Sequence, residues 1–193
     1  ILVTGLAVNS TQVKAGNLFF AIDGSHRNGR DYIEQAIAAG AVAVVTGTPP
    51  LTKPLRAAIK DDSVPVMHCD NPRQVMARMA ARFWPTQPSM VSAITGTNGK
   101  TSTTEFLRQL WQRATWKAVG VGTLGITGTD MIKTNGAILN LPSLTTPDSI
   151  SLHSAVAPLA KAGVTHLALE ASSHGLGQYR LDGMDIHLAA FTN

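Results

Sequence analysis

One cysteine, Cys69, in 193 residues leaves no partner for an internal disulfide and no thiolate set for a zinc site, and it fits a reducing compartment. Charged residues are scarce at 15%, and the net charge of +4 has no basic run behind it. That argues against nucleic acid as a partner and leaves an ordinary surface, or a small anionic ligand held by a few cations. Long apolar runs are missing too. The longest, Ala36 to Val45, is Ala- and Gly-rich and far below the roughly 18–20 residues that span a bilayer, so no membrane partner is expected. Internal repeats and low-complexity tracts are absent. What remains is a chain 44% hydrophobic, enough for a sizeable core and against a disordered polyelectrolyte. Ile1 and the closing Phe-Thr-Asn read as interior positions of a longer protein.

Pro85-Thr-Gln-Pro88 places two prolines within four residues and is the expected joint between domains 1–87 and 88–193. In the first, Asn17 to Ile22 reads as a strand and Asp31 to Gly40 as a helix closed by glycine. Ala41 to Val45 and Val64 to His68 read as short strands. Asn71-Pro72 supplies an N-cap and a first-turn proline for a helix carrying Val75, Met76, Met79 and Phe83. In the second, Met90 to Thr95 is a strand, followed by a Gly-rich turn and a helix from Lys100 to Arg113. Lys117 to Val121 and Leu124 to Thr127 are extended, Pro147 opens a helix to Ala162, and Val164 to Glu170 is an apolar strand. Ile186 to Phe191 is expected as a further buried strand. The alternation predicts an α/β fold whose second half carries a mostly parallel sheet.

The sharpest local pattern is Thr95-Gly96-Thr97-Asn98-Gly99-Lys100-Thr101-Ser102, a buried strand turning through glycines into a helix. Without Cβ atoms, such a loop lets backbone N–H groups close on phosphate oxygens at a helix N-terminus. Lys100 would reach the β/γ-phosphates and Thr101 would ligate Mg²⁺. The eight-residue G-x-x-x-x-G-K-[ST] pattern is not met, because Ile94 holds the first glycine position; the shorter G-x-x-G-K-T stands. Glu170 ends an apolar strand at the sheet edge where ligands of open α/β sheets bind, so it is the expected second Mg²⁺ ligand. A plain acid near a helix start is the alternative. Ser172, Ser173, His174, Gln178 and Arg180 follow at once, a density of donors that suits an anionic substrate better than a core.

Four stretches together resemble the Mur ligases, ATP-dependent amide-bond-forming enzymes of peptidoglycan precursor synthesis. Gly5 to Gly24 is similar to the family's uridine-side segment, although Asn9-Ser10-Thr11 stands where the family usually shows Asp-Ser-Arg. Gly96 to Thr101 is similar to its short ATP loop. Leu144-Thr145-Thr146-Pro147 is similar to its muramoyl-dipeptide segment, with Leu144 where an asparagine is common. Glu170 to Arg180 resembles the branch that adds the third amino acid to UDP-N-acetylmuramoyl-L-alanyl-D-glutamate. The resemblance implies an N-terminal UDP-binding α/β domain followed by part of a P-loop-type central ATPase domain. Ser10, His26, Arg27 and Asn28 would hold the UDP moiety, while Thr145, Thr146, Ser172, Gln178 and Arg180 would contact the acceptor. Gly96 through Ser102 would hold ATP, Lys100 and Glu170 would be catalytic, and Thr101 and Glu170 would hold Mg²⁺. The implied partners are that UDP-dipeptide, ATP and a diamino acid, meso-diaminopimelate or lysine, in a cytoplasmic monomer. This chain by itself is expected to bind parts of the substrates without completing the ligation. A related ligase adding D-Ala-D-Ala, or a non-catalytic nucleotide-binding module, are the competing readings.

Overall fold

The computed structural model describes residues 1–24, 28–51, 63–131, 141 and 144–193. They form two compact units, Ile1–Met76 and Ala77–Asn193. The division falls upstream of the Pro85-to-Pro88 joint. Among the described residues no helix is long and apolar enough to cross a membrane.

The first unit is a four-stranded, wholly parallel sheet of β1 (Gly5–Ala7), β2 (Asn17–Ala21), β3 (Ala43–Gly47) and β4 (Val66–Cys69), in that spatial order. β2 is buried along its whole length and β3 along all but its last residue, which is why both read as continuous apolar runs rather than alternating ones. The helix expected from Asp31 starts later. Gly29–Tyr32 is a 3-10 turn capped by Asn28, whose Oδ1 accepts from Arg30 N at 2.9 Å, and only then does α1 (Ile33–Ala38) begin. Gly40, at φ +100°, ends it. Ile33 and Ala36 of α1 pack with Phe19, Ala21 and Val44 in one core cluster. Helix α2 (Pro72–Phe83) opens as its sequence predicts, with Asn71 Oδ1 accepting from Gln74 N at 3.1 Å and proline at the first helical position.

The second unit is a five-stranded sheet in the order β7-β6-β8-β5-β9. Its strands are β5 (Met90–Gly96), β6 (Ala118–Gly122), β7 (Gly125–Thr127), β8 (His166–Glu170) and β9 (Leu188–Thr192). All pairings are parallel except the β6–β7 hairpin. Among the described residues its α-helices are α3 (Lys100–Arg113), α4 (Ser149–Lys161) and α5 (Ser173–Gly177). Asp148 caps α4 through Ser151 N at 3.0 Å, which places the helix start two residues after Pro147. Val91, Val119, Val121, Leu152, Val156, Leu167 and Leu169 form the main core, each such side chain contributing about 1.5–3 kcal/mol when fully buried.

The expectation of a buried final strand is corrected. β9 forms, but Leu188 is 56% and Phe191 81% exposed. It is the edge strand, paired with β5 alone among the described strands, so an apolar composition does not there translate into burial.

Helix α4 buries His153, with Nε2 donating to Asp182 O at 3.3 Å and Nδ1 without a partner among the described residues. Burial lowers the proton affinity of this imidazole below its ordinary value of 6.5, with the Asp182 bond opposing. Below about pH 6.5 the unfolded chain therefore binds a proton that the folded chain refuses, and stability falls with pH until the depressed folded pKa is passed. We predict that the urea midpoint drops between pH 7 and 5, and that His153→Gln removes part of that drop; an unchanged pH profile in the variant would contradict this.

Candidate active site

The glycine-rich loop expected to hold phosphate is built by the end of β5 and the start of α3. Gly96 sits at φ +131° and Gly99 at +78°, both in territory that side-chain-bearing residues rarely enter. At Gly96 space is closed as well as conformation, since a Cβ there would run into Thr192 O of β9. Thr192 Oγ1 lies 2.6 Å from Asn98 O and 3.0 Å from Thr95 O, bracing the loop from the neighbouring strand. Gly99 is the N-cap of α3 and offers no side-chain cap, and the first turn of the helix holds no acid. Its first N–H groups thus keep the free donors and partial positive charge that attract anions. Lys100 folds back over the loop, with Nζ donating to Gly96 O at 2.7 Å and Thr97 O at 3.1 Å.

Opposite the loop stands Glu170, at the carboxyl end of β8 and 2% exposed. Its Oε2 accepts from Thr101 Oγ1 at 3.0 Å and Thr123 Oγ1 at 3.2 Å; its Oε1 accepts from Thr123 N at 2.9 Å. The carboxylate lies so close to the end of β6 that a Cβ on Gly122 would collide with it. Loop, carboxylate and threonines line one cavity of about 250 Å³, formed by Thr97 to Ser102, Thr123, Thr145 and Glu170. Six of the seven residues expected to hold ATP are on that wall, and Gly96, the seventh, lines an adjoining cavity of about 370 Å³ with Ser172 and Phe191.

The acceptor-side residues divide. Thr145 lines the cavity, whereas Thr146 is buried and engaged by protein. Its Oγ1 donates to Glu170 O at 3.0 Å, accepts from Ser172 N at 2.9 Å, and lies 3.1 Å from Ser172 Oγ. Ser172 Oγ in turn caps α5 by accepting from Gly175 N at 3.0 Å. Arg180 donates to Thr146 O at 2.6 Å and to Gln178 Oε1. These residues form one network that pins the segment after Leu144 to the start of α5. Thr123 was not foreseen from the sequence. Its only sequence cue is its place just after an apolar strand in a parallel sheet, at the edge where ligands bind.

In the first unit, Ser10 lines a cavity of about 510 Å³ with Asn9, Tyr32, Gln35 and Arg73 among its other walls. Ser10 Oγ donates to Gln35 Oε1 at 3.0 Å. Asn28 adjoins this wall as the cap of the 3-10 turn at Gly29, which itself lines the cavity. His26 and Arg27 lie outside the described residues. Gln35, Tyr32 and Arg73 are additions from structure, because only the fold brings α1 and the start of α2 to Ser10. Burial and then Asp70 push the Cys69 thiol above its ordinary value, with the Asn71 backbone N–H opposing.

The same two regions are found in known proteins. Residues 94–193 match the Mur ligase middle domain, and residues 2–84 match the domain described as Mur ligase family, catalytic domain. The UDP-N-acetylmuramoyl-L-alanyl-D-glutamate–2,6-diaminopimelate ligase of Bradyrhizobium diazoefficiens is 44% identical over 191 residues, covering 99% of this chain and 36% of its own. That of Rhizobium meliloti is 44% identical over 193 residues, 100% of this chain and 37% of its own. The chain thus spans little more than a third of the length of the curated relatives it matches. A solved ligase of the same name superposes with TM-score 0.78 at 31% identity over 99% of this chain and 36% of its own. A MurF ligase from Thermotoga maritima, solved with ADP, gives 0.52 at 20% identity over 88% of this chain and 32% of its own, a likeness of fold alone. Since the middle-domain match covers more than half of the chain and includes both the phosphate loop and Glu170, the chain belongs to the Mur ligase family.

Proposed function

We propose that this chain supplies the UDP-sugar-binding and ATP-binding parts of an ATP-dependent carbon–nitrogen ligase that adds a diamino acid to UDP-N-acetylmuramoyl-L-alanyl-D-glutamate. The observation that carries the reading is the facing pair of Lys100, on a bare helix N-terminus, and buried Glu170, hydrogen-bonded to Thr101 across one small polar cavity. The similarity of more than 40% to ligases of that name, over both units, supports the substrate and 2,6-diaminopimelate as the incoming amine. The reading carries with it a cytoplasmic site of action and a monomer.

Donor chemistry favours a nucleotide with Mg²⁺. Among the described residues no group of three His, Cys, Asp or Glu side chains could enclose a metal by itself. One carboxylate and one hydroxyl beside a phosphate loop is instead the sparse protein share expected when phosphates and water complete an octahedron. Glu170 and Thr101 would hold the ion, which when bound would neutralise charge on the transferring phosphate. Lys100 and the N–H groups of Gly99 to Thr101 do the same from the protein side, and they are fixed before reaction begins. They let two anions meet: the terminal phosphate of ATP and the free side-chain carboxylate of the D-glutamyl residue. Phosphorylation turns that carboxylate into an acyl phosphate, whose phosphate leaves when the amine attacks. Arg180, braced on Gln178 and Thr146 O, would orient the acceptor's anionic groups.

Calorimetric titration of the chain with UDP-N-acetylmuramoyl-L-alanyl-D-glutamate, and separately with ADP and Mg²⁺, tests the proposal. Both are expected to bind. Nucleotide binding without UDP-ligand binding would reduce the chain to a nucleotide-binding module.

A further inference from the structure

We propose that Thr123 is a positioning residue for Glu170, its hydroxyl holding the carboxylate at the tilt in which it can accept a divalent cation. The inference rests on the reading of the Lys100–Glu170 cavity as a nucleotide and cation site.

A carboxylate offers about four lone-pair directions over its two oxygens. Three are taken here, and Thr123 supplies two of the three donors. Its backbone N–H fixes Oε1 at 2.9 Å and its hydroxyl meets Oε2 at 3.2 Å. Thr101 supplies the third, on Oε2 at 3.0 Å. As a prospective ligand, the Thr101 oxygen turns a lone pair toward the cation while its proton can stay on Glu170, so its position is set by the ion as well as by the carboxylate. Thr123 is the side chain that holds Oε2 without itself being a prospective ligand, while Gly122 leaves just enough room for Oε1. The Thr123 hydroxyl also has a second acceptor, Thr145 Oγ1 at 3.1 Å. Its one proton thus faces Glu170 on one side and the wall formed by Thr145 on the other. Thr123 is itself exposed, so a purely structural need to bury or satisfy this hydroxyl is absent; water would serve.

Outer partners that orient metal-binding side chains commonly matter by 10- to 100-fold in affinity. Thr123→Val keeps the shape and the backbone N–H and removes only the hydroxyl; Thr123→Ser keeps the hydroxyl. Mn²⁺ binding to the chain with saturating ADP, read by electron paramagnetic resonance, is expected to weaken roughly tenfold in Thr123→Val and by less than about twofold in Thr123→Ser. ADP affinity in EDTA and the urea midpoint stay at the wild-type values in both. Wild-type Mn²⁺ affinity in Thr123→Val would overturn the proposal. So would equal weakening in both variants with a lowered urea midpoint, which would make Thr123 a fold residue. If the wild-type chain itself shows no ADP-dependent Mn²⁺ binding, the nucleotide-site reading fails and this inference falls with it.

Discussion

Replacing Lys100 with alanine is expected to lower ADP affinity by roughly 10- to 100-fold, the worth of a hydrogen bond to a charged group at about 1.5–3 kcal/mol. The fold should survive. Nζ rests on two loop carbonyls, Gly96 O and Thr97 O, in a part-exposed position where water can replace it. Phosphate oxygens compete for the same ammonium, and being charged they form the stronger bond. Lys100→Arg should not restore affinity, because a planar fork cannot take the place of a compact ammonium inside so tight a loop. In a chain of the relatives' full length the same alanine should reduce turnover by about 10²–10³-fold, as for other lost donors to developing charge. Binding of the UDP moiety, assigned to the other unit, should be untouched. Calorimetry with both ligands on wild type and variant decides: unchanged ADP affinity would remove Lys100 from the phosphate site.

Gly96→Ala is expected to do larger damage, and to the fold rather than to binding. Two independent penalties meet at this residue. Its φ of +131° is a conformation that costs a side-chain-bearing residue of order 1–3 kcal/mol. The added methyl also points into Thr192 O, and overpacking costs typically about 1–3 kcal/mol more. Relief requires β9 to move away from β5, which forfeits the Gly96–Thr192 pairing and the Thr192 hydrogen bonds to Thr95 O and Asn98 O. Denaturant titration should show the midpoint collapse toward zero or a chain that fails to fold. Gly177→Ala, where no atom lies near the new methyl and φ is ordinary, is the matching control and should be nearly silent. A Gly96→Ala chain as stable as wild type would mean that the loop does not take this form in solution.

Much of this organisation was legible in the residues. The glycine-rich turn and α3 follow from glycine spacing after an apolar strand, and the expected bounds Lys100 to Arg113 are those observed. The opening of α2 followed from Asn71-Pro72 in the same way. β1 escaped notice because three residues, Gly5-Leu-Ala, carry too little pattern to separate strand from loop. β9 was recognised by composition but assigned the wrong environment, since burial depends on which strands flank it, and strand order is not written locally. The site shows the same limit. Glu170 stood out as an acid closing an apolar strand, whereas Thr123 is one threonine among glycines. It becomes meaningful only because β6 lies directly beside β8. Thr145 and Thr146 read alike in sequence, yet Thr145 lines the cavity while Thr146 is buried against Glu170 O and Ser172.

The parallel register of the second sheet has a consequence for how this protein can change over evolutionary time. β5 pairs Ile94 with Glu170 on one side and Gly96 with Thr192 on the other. The carboxylate, the loop and its brace are therefore spaced in whole residues along three adjacent strands. Deleting or inserting a single residue within β8 or β9 would turn Glu170 or Thr192 to the opposite face, because side chains alternate. The connections at the other ends of these strands carry no such constraint. Length variation among related chains should therefore gather around segments such as Pro85 to Ser89 and Ala162 to Thr165, and be nearly absent from the opposite edge of the sheet.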